Sequence, residues 1–379
     1  MGTPHWYENY KNVTLQNRVA LYFCQNFLSM SDFHALTIQD ITRETEKAVS
    51  ISFGVPEALK EAFSFKAGQY ITIKTEINGK EVRRAYSLCS TPQSRILKVA
   101  VKEVEGGTFS VLANNTLTVG QSLDVHPPEG KFVVEPNAEN QKDFVAFAAG
   151  SGITPVLSIV KTILEEEPKS RFVLAYGNRT VEETIFHKEL LELQLKYPER
   201  LFIEFIYSRK QETDAHFGRI EKATVNFILK NKFKSHDFDQ FFLCGPEEMI
   251  NGVRSVLEEN GVAKEKVKFE LFTSSDDGEE IAEALDGETT LKIICDDEEL
   301  ELVIPQDKII LDAALDNDID APHSCQGGIC SSCIARVTEG TAVMRKNQIL
   351  TDDEVEEGLI LTCQALATSA NLVIDYDDI

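Results

Sequence analysis

The sequence predicts a multidomain protein in which an antiparallel β-barrel, an α/β domain with a doubly wound parallel sheet and a small β-grasp-like domain follow one another. Three observations support this fold class. Short apolar runs separated by glycine and proline come first, apolar strands alternating with helical segments follow, and a loop with three closely spaced cysteines lies near the end. A chain of 379 residues is long enough for each domain to bury its own core.

Short strand-like runs between residues 35 and 136 predict the barrel. They are AVSISFGV, QYITIKTEI, EVRRAYSL, ILKVAVKEV, QSLDVHPP and GKFVVE. Strands of this length with turn residues between them are typical of an antiparallel barrel. Residues 1–34 fit no such pattern and are interpreted as an N-terminal extension, in which LQNRVALYFCQNFL is compatible with a helix.

Between residues 137 and 272 a buried strand followed by a helix recurs. The strands are DFVAFAAG, RFVLAYGN, LFIEFIYS, DQFFLCG and KVKFELF. Continuous apolar strands joined by helices predict a parallel sheet that is covered on both faces. A polar, acidic segment at 273–288 is predicted to be a linker. In the last domain, 289–379, LKIICDDEELELVIP indicates a hairpin and KIILDAALDND a short helix.

Four of the eight cysteines form a pattern in the last domain. Cys325, Cys330 and Cys333 are spaced C-x4-C-x2-C, and Cys363 follows 30 positions later. This spacing is typical of a plant-type 2Fe-2S site, in which each iron takes two thiolates. A structural zinc site is the alternative, but zinc sites with four cysteines usually contain two C-x2-C-like pairs. The spacing therefore favours the 2Fe-2S cluster.

The charge of the chain excludes nucleic acid as a partner. The net charge is −24, from 38 basic and 62 acidic residues, and would repel phosphates. Residues 289–379 contain 19 acidic and 5 basic residues, so the last domain has a net charge of −14. Both a solvated surface and a surface that attracts a basic partner are compatible with this charge.

No apolar run reaches the roughly 20 residues that span a bilayer, and the first residues do not form a secretory signal. We expect a cytoplasmic protein without membrane contact. Thiols are kept reduced there, so clustered cysteines favour metal or redox chemistry over disulfides.

The first strand of the α/β domain is followed by a turn suited to phosphate. In GSGITP, Gly150 and Gly152 permit a tight turn, and we expect Thr154 to cap a helix whose first residue is Pro155. The carboxyl end of the fourth strand contains Cys244, Gly245 and Pro246, and this is the edge where ligands bind in such sheets.

The next two strand ends suggest which nicotinamide coenzyme is bound. The second strand lacks the acidic residue that holds the ribose of NAD and has Arg179 instead, and the third ends in Ser208 and Arg209. A hydroxyl and a guanidinium suit a 2′-phosphate, which favours NADPH. A solvated surface charge is the alternative for each arginine taken singly.

Two barrel segments have the residue types of a cofactor wall. Arg84 and Tyr86 lie two apart on one face of a strand, with Ser87 next to them. After a later strand, a glycine pair leads into a predicted helix start with Gly107, Thr108 and Ser110. Taken alone, either segment is better explained as a half-buried strand.

The motifs RAYS, GGTFS, GSGITP and CGPEEM, in this order, resemble those of the ferredoxin-NADP reductase superfamily, and the cysteine loop resembles plant-type ferredoxin. The resemblance covers residues 35–379. A flavin reductase followed by a ferredoxin domain is an order found in oxygenase reductases. FHALTIQDITRETEKAVSISFGVP, YGNRT and FGRI look most like the reductase subunits of phenylacetyl-CoA epoxidases.

The resemblance implies a role for each motif. Arg84 would bind the FAD diphosphate, Tyr86 would pack on the isoalloxazine, and Ser87 would hydrogen-bond near flavin N5. Gly107, Thr108 and Ser110 would hold the diphosphate, and the segment 150–155 would face NADPH. Cys244 would lie near the nicotinamide, and Glu270 and Phe272 would lie near the flavin.

Electron counting then predicts the order of the cofactors. NADPH gives two electrons as hydride and a 2Fe-2S cluster accepts one, so the flavin must stand between them. We expect an NADPH-dependent reductase whose cluster passes electrons, at an exposed edge from Gln326 to Ile329, to an oxygenase. The resemblance implies a multisubunit di-iron monooxygenase, the phenylacetyl-CoA epoxidase.

Three alternatives remain open from the sequence. The oxygenase could be another ring- or steroid-hydroxylating enzyme. The chain could be a redox sensor that binds nucleotide without turnover. It could also be a zinc-stabilised binding module.

Overall fold

The computed structural model describes residues 33–272 and 287–379. Nearly all of the predicted N-terminal extension, with its possible helix, and residues 273–286 of the predicted linker lie outside the described residues. Within the described ranges, no helix is long and apolar enough to cross a membrane.

The first domain is a six-stranded antiparallel sheet. Its strands are β1 (His34–Thr45), β2 (Ala48–Gly54), β3 (Tyr70–Ile77), β4 (Lys80–Ser87), β5 (Leu97–Lys102) and β6 (Ser122–Val125), in the order β4-β3-β6-β1-β2-β5. Helix α1 (Phe109–Asn115) follows β5, and 3-10 turns span Glu57–Leu59 and Pro92–Ser94. The two edge strands of the curled sheet approach each other at an isolated bridge between Leu88 and Val99.

The sequence pattern was wrong about one strand of this domain and missed another. The run GKFVVE is not a strand, because Phe132 and Val134 are buried in the core of the α/β domain instead, with Phe132 packed edge-on against Phe242. Strand β1 was not predicted, since most of its residues are at least partly exposed and its apolar pattern is correspondingly weak.

The second domain is a parallel sheet of six strands in the order β10-β9-β8-β7-β11-β12. They are β7 (Asp143–Ala149), β8 (Arg171–Asn178), β9 (Leu201–Tyr207), β10 (His216–Phe217), β11 (Phe238–Gly245) and β12 (Val267–Leu271). The helices are α2 (Ile153–Glu166), α3 (His187–Lys196), α4 (Lys222–Asn226) with a π-turn at Phe227–Lys232, and α5 (Glu247–Glu259). The strand order reverses beside β7, and ligands bind at such a switch point.

The third domain has a five-stranded sheet in the order β14-β13-β19-β15-β17 and a two-stranded sheet β16-β18. The strands are β13 (Glu288–Cys295), β14 (Glu298–Pro305), β15 (Ile334–Glu339), β16 (Ala342–Met344), β17 (Leu359–Leu361), β18 (Ala365–Ala367) and β19 (Asn371–Asp375). Helix α6 (Ile310–Leu315) precedes the cysteine loop, and α7 (Asp352–Glu356) precedes β17. The predicted hairpin and short helix are confirmed.

Contacts between the domains position the sites. Between the first two domains, Ser158 of α2 donates a hydrogen bond to the carbonyl of Ser90 at 2.6 Å. The third domain contacts the first through Arg83, buried in the interface, whose guanidinium pairs with Asp320 at 2.6 Å. It contacts the second domain through Ile329, which belongs to an apolar core of the α/β sheet.

Candidate functional site

The expected flavin wall lies on β4. Tyr86 is half-buried, and its ring centroid lies 5.4 Å from that of Phe109 in α1. Arg84 is exposed and donates from Nη1 to the neighbouring carbonyl of Arg83 at 2.7 Å. An aromatic surface with a cation two residues away is chemically suited to a flavin and its diphosphate.

The loop before α1 is close-packed. A Cβ atom on Gly107 would lie 2.4 Å from the Ser110 hydroxyl, so a larger residue does not fit without rearrangement. Ser110 accepts a hydrogen bond from the backbone N–H of Val104 at 3.2 Å and is buried. Thr108 is the N-terminal cap residue of α1 but makes no side-chain capping bond.

The turn after β7 packs closely against the end of β11 in the same domain. Gly150 has φ of +55°, and its carbonyl accepts a hydrogen bond from the Tyr176 hydroxyl at 2.9 Å. A Cβ atom on Gly152 would lie only 2.2 Å from the carbonyl oxygen of Cys244. Glycine at 152 therefore permits β11 to end directly beside this turn.

The expected helix start at this turn was wrong by two residues. Helix α2 begins at Ile153 after a 3-10 turn at Gly150–Gly152, so Pro155 is its third residue. Thr154 does not cap the helix, because its hydroxyl donates to the carbonyl of Ser151 at 3.0 Å.

Three groups from two domains meet where the flavin wall faces the parallel sheet. Ser87 donates a hydrogen bond to Oε2 of Glu270 at 3.0 Å, and both side chains are buried. Glu270 on β12 pairs in register with Cys244 on β11, which is fully buried. We call Ser87, Cys244 and Glu270 the junction cluster.

Burial keeps the junction cluster neutral. Burial raises the pKa of Glu270 to about 8, although the hydrogen bond from Ser87 opposes this shift. Burial also raises the pKa of the Cys244 thiol well above its ordinary value, and the charge of Glu270 adds to the effect. A protonated carboxyl and a protonated thiol therefore face the junction at neutral pH.

One residue near this junction was missed by the sequence reasoning. Lys102 ends β5, and its Nζ would lie 3.8 Å from a Cβ atom on Gly150. Burial lowers the pKa of Lys102, and the nearby Arg179 lowers it further while Glu183 opposes the shift. The first domain thus contributes a cation to the glycine turn of the second. A single lysine at a strand end has no distinguishing sequence pattern.

The three residues expected to select the coenzyme lie together at the ends of β8 and β9. The backbone N–H of Ser208 donates to Asn178 O and that of Arg209 to Arg179 O, both at 3.0 Å. Arg179 lies 3.9 Å from Glu183, whereas the exposed guanidinium of Arg209 has no hydrogen bond or ion pair within the described residues. Arg209 can therefore receive an anion without breaking an existing pair.

The four cysteines of the predicted cluster converge in the third domain. Cys330, Cys333 and Cys363 are buried and Cys325 is half-buried. Cys325 interacts with both Cys330 and Cys363, and Cys363 also interacts with Cys333. No three His, Cys, Asp or Glu residues in the described ranges are gathered tightly enough to hold a single ion. Four connected thiols match the number of ligands that a 2Fe-2S cluster requires.

The surroundings of the thiols also fit this group. The backbone N–H of Gly327 lies 3.3 Å from Cys325 Sγ, and Gly328 has φ of +71° with Lys346 O 2.9 Å from its virtual Cβ. The buried hydroxyl of Ser324 has no partner among the described residues, so it is available to donate to a sulfur atom. The Cys325 thiol and burial raise the pKa of Cys330, so metal binding must release protons.

The expected exposed edge from Gln326 to Ile329 is correct only for its beginning. Gln326 is exposed, whereas Gly328 and Ile329 are buried. Ile329 packs into an apolar core of the α/β domain, so the second half of the loop faces the interior of the molecule.

Comparison with known proteins agrees with this three-part arrangement. The chain matches the families described as "Oxidoreductase FAD-binding domain" over residues 35–134, "Oxidoreductase NAD-binding domain" over 147–255 and "2Fe-2S iron-sulfur cluster binding domain" over 293–368. It is 37% identical over 361 residues to a subunit of the 1,2-phenylacetyl-CoA epoxidase of Escherichia coli K12, a match that covers 92% of this chain and 99% of that protein. The chain belongs to the oxygenase-reductase family.

Two further relatives of this oxygenase reductase support the assignment. The ferredoxin reductase component of 3-ketosteroid-9-alpha-monooxygenase from Rhodococcus rhodochrous is 32% identical over 352 residues, covering 90% of this chain and 96% of that protein. The structure of phthalate dioxygenase reductase, described as modular for electron transfer from pyridine nucleotides to [2Fe-2S], matches with a TM-score of 0.57, 26% identity and coverage of 90% and 98%.

This oxygenase reductase is accordingly an oxidoreductase with FAD-binding, NAD-binding and 2Fe-2S domains. The predicted resemblance to the ferredoxin-NADP reductase superfamily, with a plant-type ferredoxin domain at the C-terminal end, is confirmed.

Proposed function

We propose that the chain is the NADPH-dependent reductase component of a phenylacetyl-CoA epoxidase in the cytoplasm, and that its partner is a multisubunit di-iron monooxygenase. The observation that carries this proposal is the match to the Escherichia coli epoxidase component over 99% of that protein's length. The domains would divide at residues 35–136, 137–272 and 289–379, in keeping with one six-stranded sheet in each of the first two and a five-stranded and a two-stranded sheet in the third.

Residues on β4 and around α1 would hold FAD. They are Arg84, Tyr86, Ser87, Gly107, Thr108 and Ser110. Tyr86 and Phe109 offer aromatic surface, and Arg84 offers an exposed guanidinium for the diphosphate. When bound, FAD accepts two electrons as hydride and releases them singly, and a 2Fe-2S cluster accepts them one at a time.

The nicotinamide coenzyme would lie along the carboxyl edge of the parallel sheet. Gly150, Gly152 and Thr154 would face its pyrophosphate, with Lys102 adding charge from the other domain. The residues proposed for its two ends are Arg179, Ser208 and Arg209 at the 2′-phosphate and Cys244, Gly245 and Pro246 at the nicotinamide. The guanidinium of Arg209, which has no partner among the described residues, supports the preference for NADPH.

The junction cluster would orient groups and exclude water during hydride transfer. The Ser87 hydroxyl is fixed by Glu270, so its oxygen is held in one position beside the flavin site. Glu270 holds a proton near neutral pH, and the neutral, buried Cys244 thiol keeps the sheet edge beside the proposed nicotinamide site free of charge and water. Ser87 and Cys244 are the residues we propose as catalytic.

Cys325, Cys330, Cys333 and Cys363 would hold the 2Fe-2S cluster. The convergence of the four thiols supports this ligand set, as does the buried hydroxyl of Ser324, which has no partner among the described residues. These residues exclude water from most of the site and leave the loop exposed at Gln326.

Reconstitution tests the choice of oxygenase. The purified chain is mixed with the oxygenase subunits of a phenylacetyl-CoA epoxidase and, separately, with a 3-ketosteroid 9α-hydroxylating oxygenase, the partner of a 32% identical relative. We expect NADPH-driven product formation with phenylacetyl-CoA. Turnover with the steroid system alone would favour the second candidate and reject the first.

A further inference from the structure

Tyr70 connects the flavin-binding sheet with the cysteine loop. It is buried at the start of β3, where it pairs across the strands with Ser87 of the junction cluster. Its hydroxyl oxygen lies 3.2 Å from the hydroxyls of both Ser331 and Ser332, which separate Cys330 from Cys333. One side chain therefore spans the space between the two domains.

The donors and acceptors around Tyr70 allow one consistent assignment. Ser332 donates its proton to Oε1 of Glu129 at 2.7 Å. A serine hydroxyl has a single proton, so Ser332 must accept from Tyr70. Tyr70 then has no further proton, and Ser331 donates to it. The result is a directional chain from Ser331 through Tyr70 and Ser332 to the carboxylate of Glu129.

The phenol is also fixed from the barrel side. Tyr70 and Glu129 exchange two backbone hydrogen bonds of 2.9 Å each, so the two barrel residues of the hydrogen-bond chain are attached to each other. A Cβ atom on Gly130 would lie 3.0 Å from the Tyr70 ring, so the backbone at Gly130 packs closely against one side of the ring. The ring is also buried, so contacts from the barrel side restrict its position.

The loop side of the contact reaches a proposed cluster ligand directly. Ser332 Oγ lies 3.6 Å from Cys330 Sγ. A shift of Ser332 would therefore be transmitted to this sulfur atom and to its hydrogen-bonding environment.

We propose that Tyr70 is the positioning residue that fixes the cysteine loop on the flavin-binding strand, and that its hydroxyl thereby sets the rate of single-electron transfer from the reduced flavin to the cluster. This inference rests on the proposed function, because it requires FAD on β4 and the cluster on the loop. In each step the flavin loses one electron and the cluster gains one. Tyr70 is neither oxidised nor reduced.

The test compares two steps in the holoenzyme carrying Tyr70→Phe, which keeps the ring and removes the hydroxyl. Stopped-flow absorbance follows the reduction of the flavin by NADPH, and freeze-quenched EPR follows the appearance of the reduced cluster. We expect flavin reduction at the wild-type rate and cluster reduction slowed about tenfold, since small displacements of reacting groups cost rates of this order. Hydrogen exchange of the amides at 329–333 should become faster.

Matched variants separate positioning from general damage. Tyr197→Phe removes a hydroxyl from the end of α3, away from the interface, and should change neither step. Ser331→Ala removes one of the two contacts of the Tyr70 hydroxyl and should slow cluster reduction, by no more than Tyr70→Phe does. The double variant should be no slower than Tyr70→Phe alone, because Tyr70→Phe already removes the contact with Ser331. Ser331→Thr keeps the hydroxyl and should restore the rate.

Each outcome decides the question. Cluster reduction at the wild-type rate in both Tyr70→Phe and Ser331→Ala would overturn the inference. Equal slowing of both steps, or loss of flavin, would also overturn it, because it would indicate a structural role only. If NADPH does not reduce the flavin of the wild-type protein, the proposed function fails, and this is read before any variant is compared.

Discussion

In the cysteine loop, three of the four thiols come from nine consecutive residues, 325–333, whereas the junction cluster is assembled from β4, β11 and β12 of two domains. Three of the thiols come from one tight loop, so their spacing is visible in the sequence. The junction cluster, which we propose to serve hydride transfer, instead brings groups together across a domain interface. The two regions show that chelation can be local, while the junction depends on the whole fold.

The two regions also differ in the protonation state that their function requires. The thiols of the loop must lose their protons when iron binds. At the junction, burial keeps Cys244 and Glu270 protonated. Variants that affect one region and leave the other intact can therefore test whether the two are separable.

The largest expected effect is the loss of the cluster in Cys363→Ala. One iron would lose a thiolate, so we expect iron and acid-labile sulfide to fall to a small fraction of the wild-type content. Flavin content and flavin reduction by NADPH should persist. Cys295→Ala is the matched control, because Cys295 is a buried free cysteine of the same domain outside the pattern. Full iron content in Cys363→Ala would contradict the ligand assignment.

Glu270→Gln should impair the junction cluster and leave the iron-sulfur site intact. We expect flavin reduction by NADPH to slow by about 100-fold, a typical cost of removing a group that positions or holds a proton at a reacting centre. Iron content should not change. Stopped-flow absorbance measures the rate, and an unchanged rate would remove Glu270 from the junction chemistry.

Comparing Glu270→Gln with the wild type also tests how protonation of Glu270 affects stability at different pH values. The pKa of Glu270 is about 8 in the folded protein against an ordinary value of 4.5, so between these pH values the folded state holds a proton that the unfolded state has lost. Stability of the wild type should therefore fall as the pH rises through this window. Glu270→Gln has no such proton, so its thermal unfolding midpoint should fall less. Parallel midpoints in the two proteins would contradict the buried, protonated carboxyl.

A smaller effect is expected at the ends of β8 and β9, where we propose that the 2′-phosphate of the coenzyme binds. Arg209→Glu should lower kcat/KM for NADPH by about 10- to 100-fold, the value of a hydrogen-bonded charge pair, and change that for NADH little. Lys188→Glu, at an exposed position of α3, makes the same change of charge and is the control. Equal losses with both coenzymes would refute the assignment to the 2′-phosphate.

The smallest effect concerns docking of the partner. If the charge of −14 in residues 289–379 attracts a basic surface, electron delivery to the oxygenase should slow several-fold between low and moderate salt. Stopped-flow rates at a series of salt concentrations measure this. A rate that does not depend on ionic strength would leave the acidic surface with a role in solubility alone.

The sequence predicted the local features of both regions better than their assembly. The strands that contain Arg84 and Cys244, the parallel sheet and the loop with Cys325 follow from apolar patterns and short motifs. The contact between Tyr70 and Ser331 joins residues 261 positions apart, and no local pattern encodes it. The approach of Lys102 to Gly150 and the burial of Ile329 also depend on contacts between distant parts of the chain, so they could not be predicted from local patterns.

An anaerobic titration with NADPH, followed by visible absorbance, tests the central claim most directly. We expect the purified protein to have a flavin band with an iron-sulfur shoulder, and we expect NADPH to bleach both more readily than NADH does. A colourless protein with one zinc per chain, or bands that NADPH leaves unchanged, would contradict this claim.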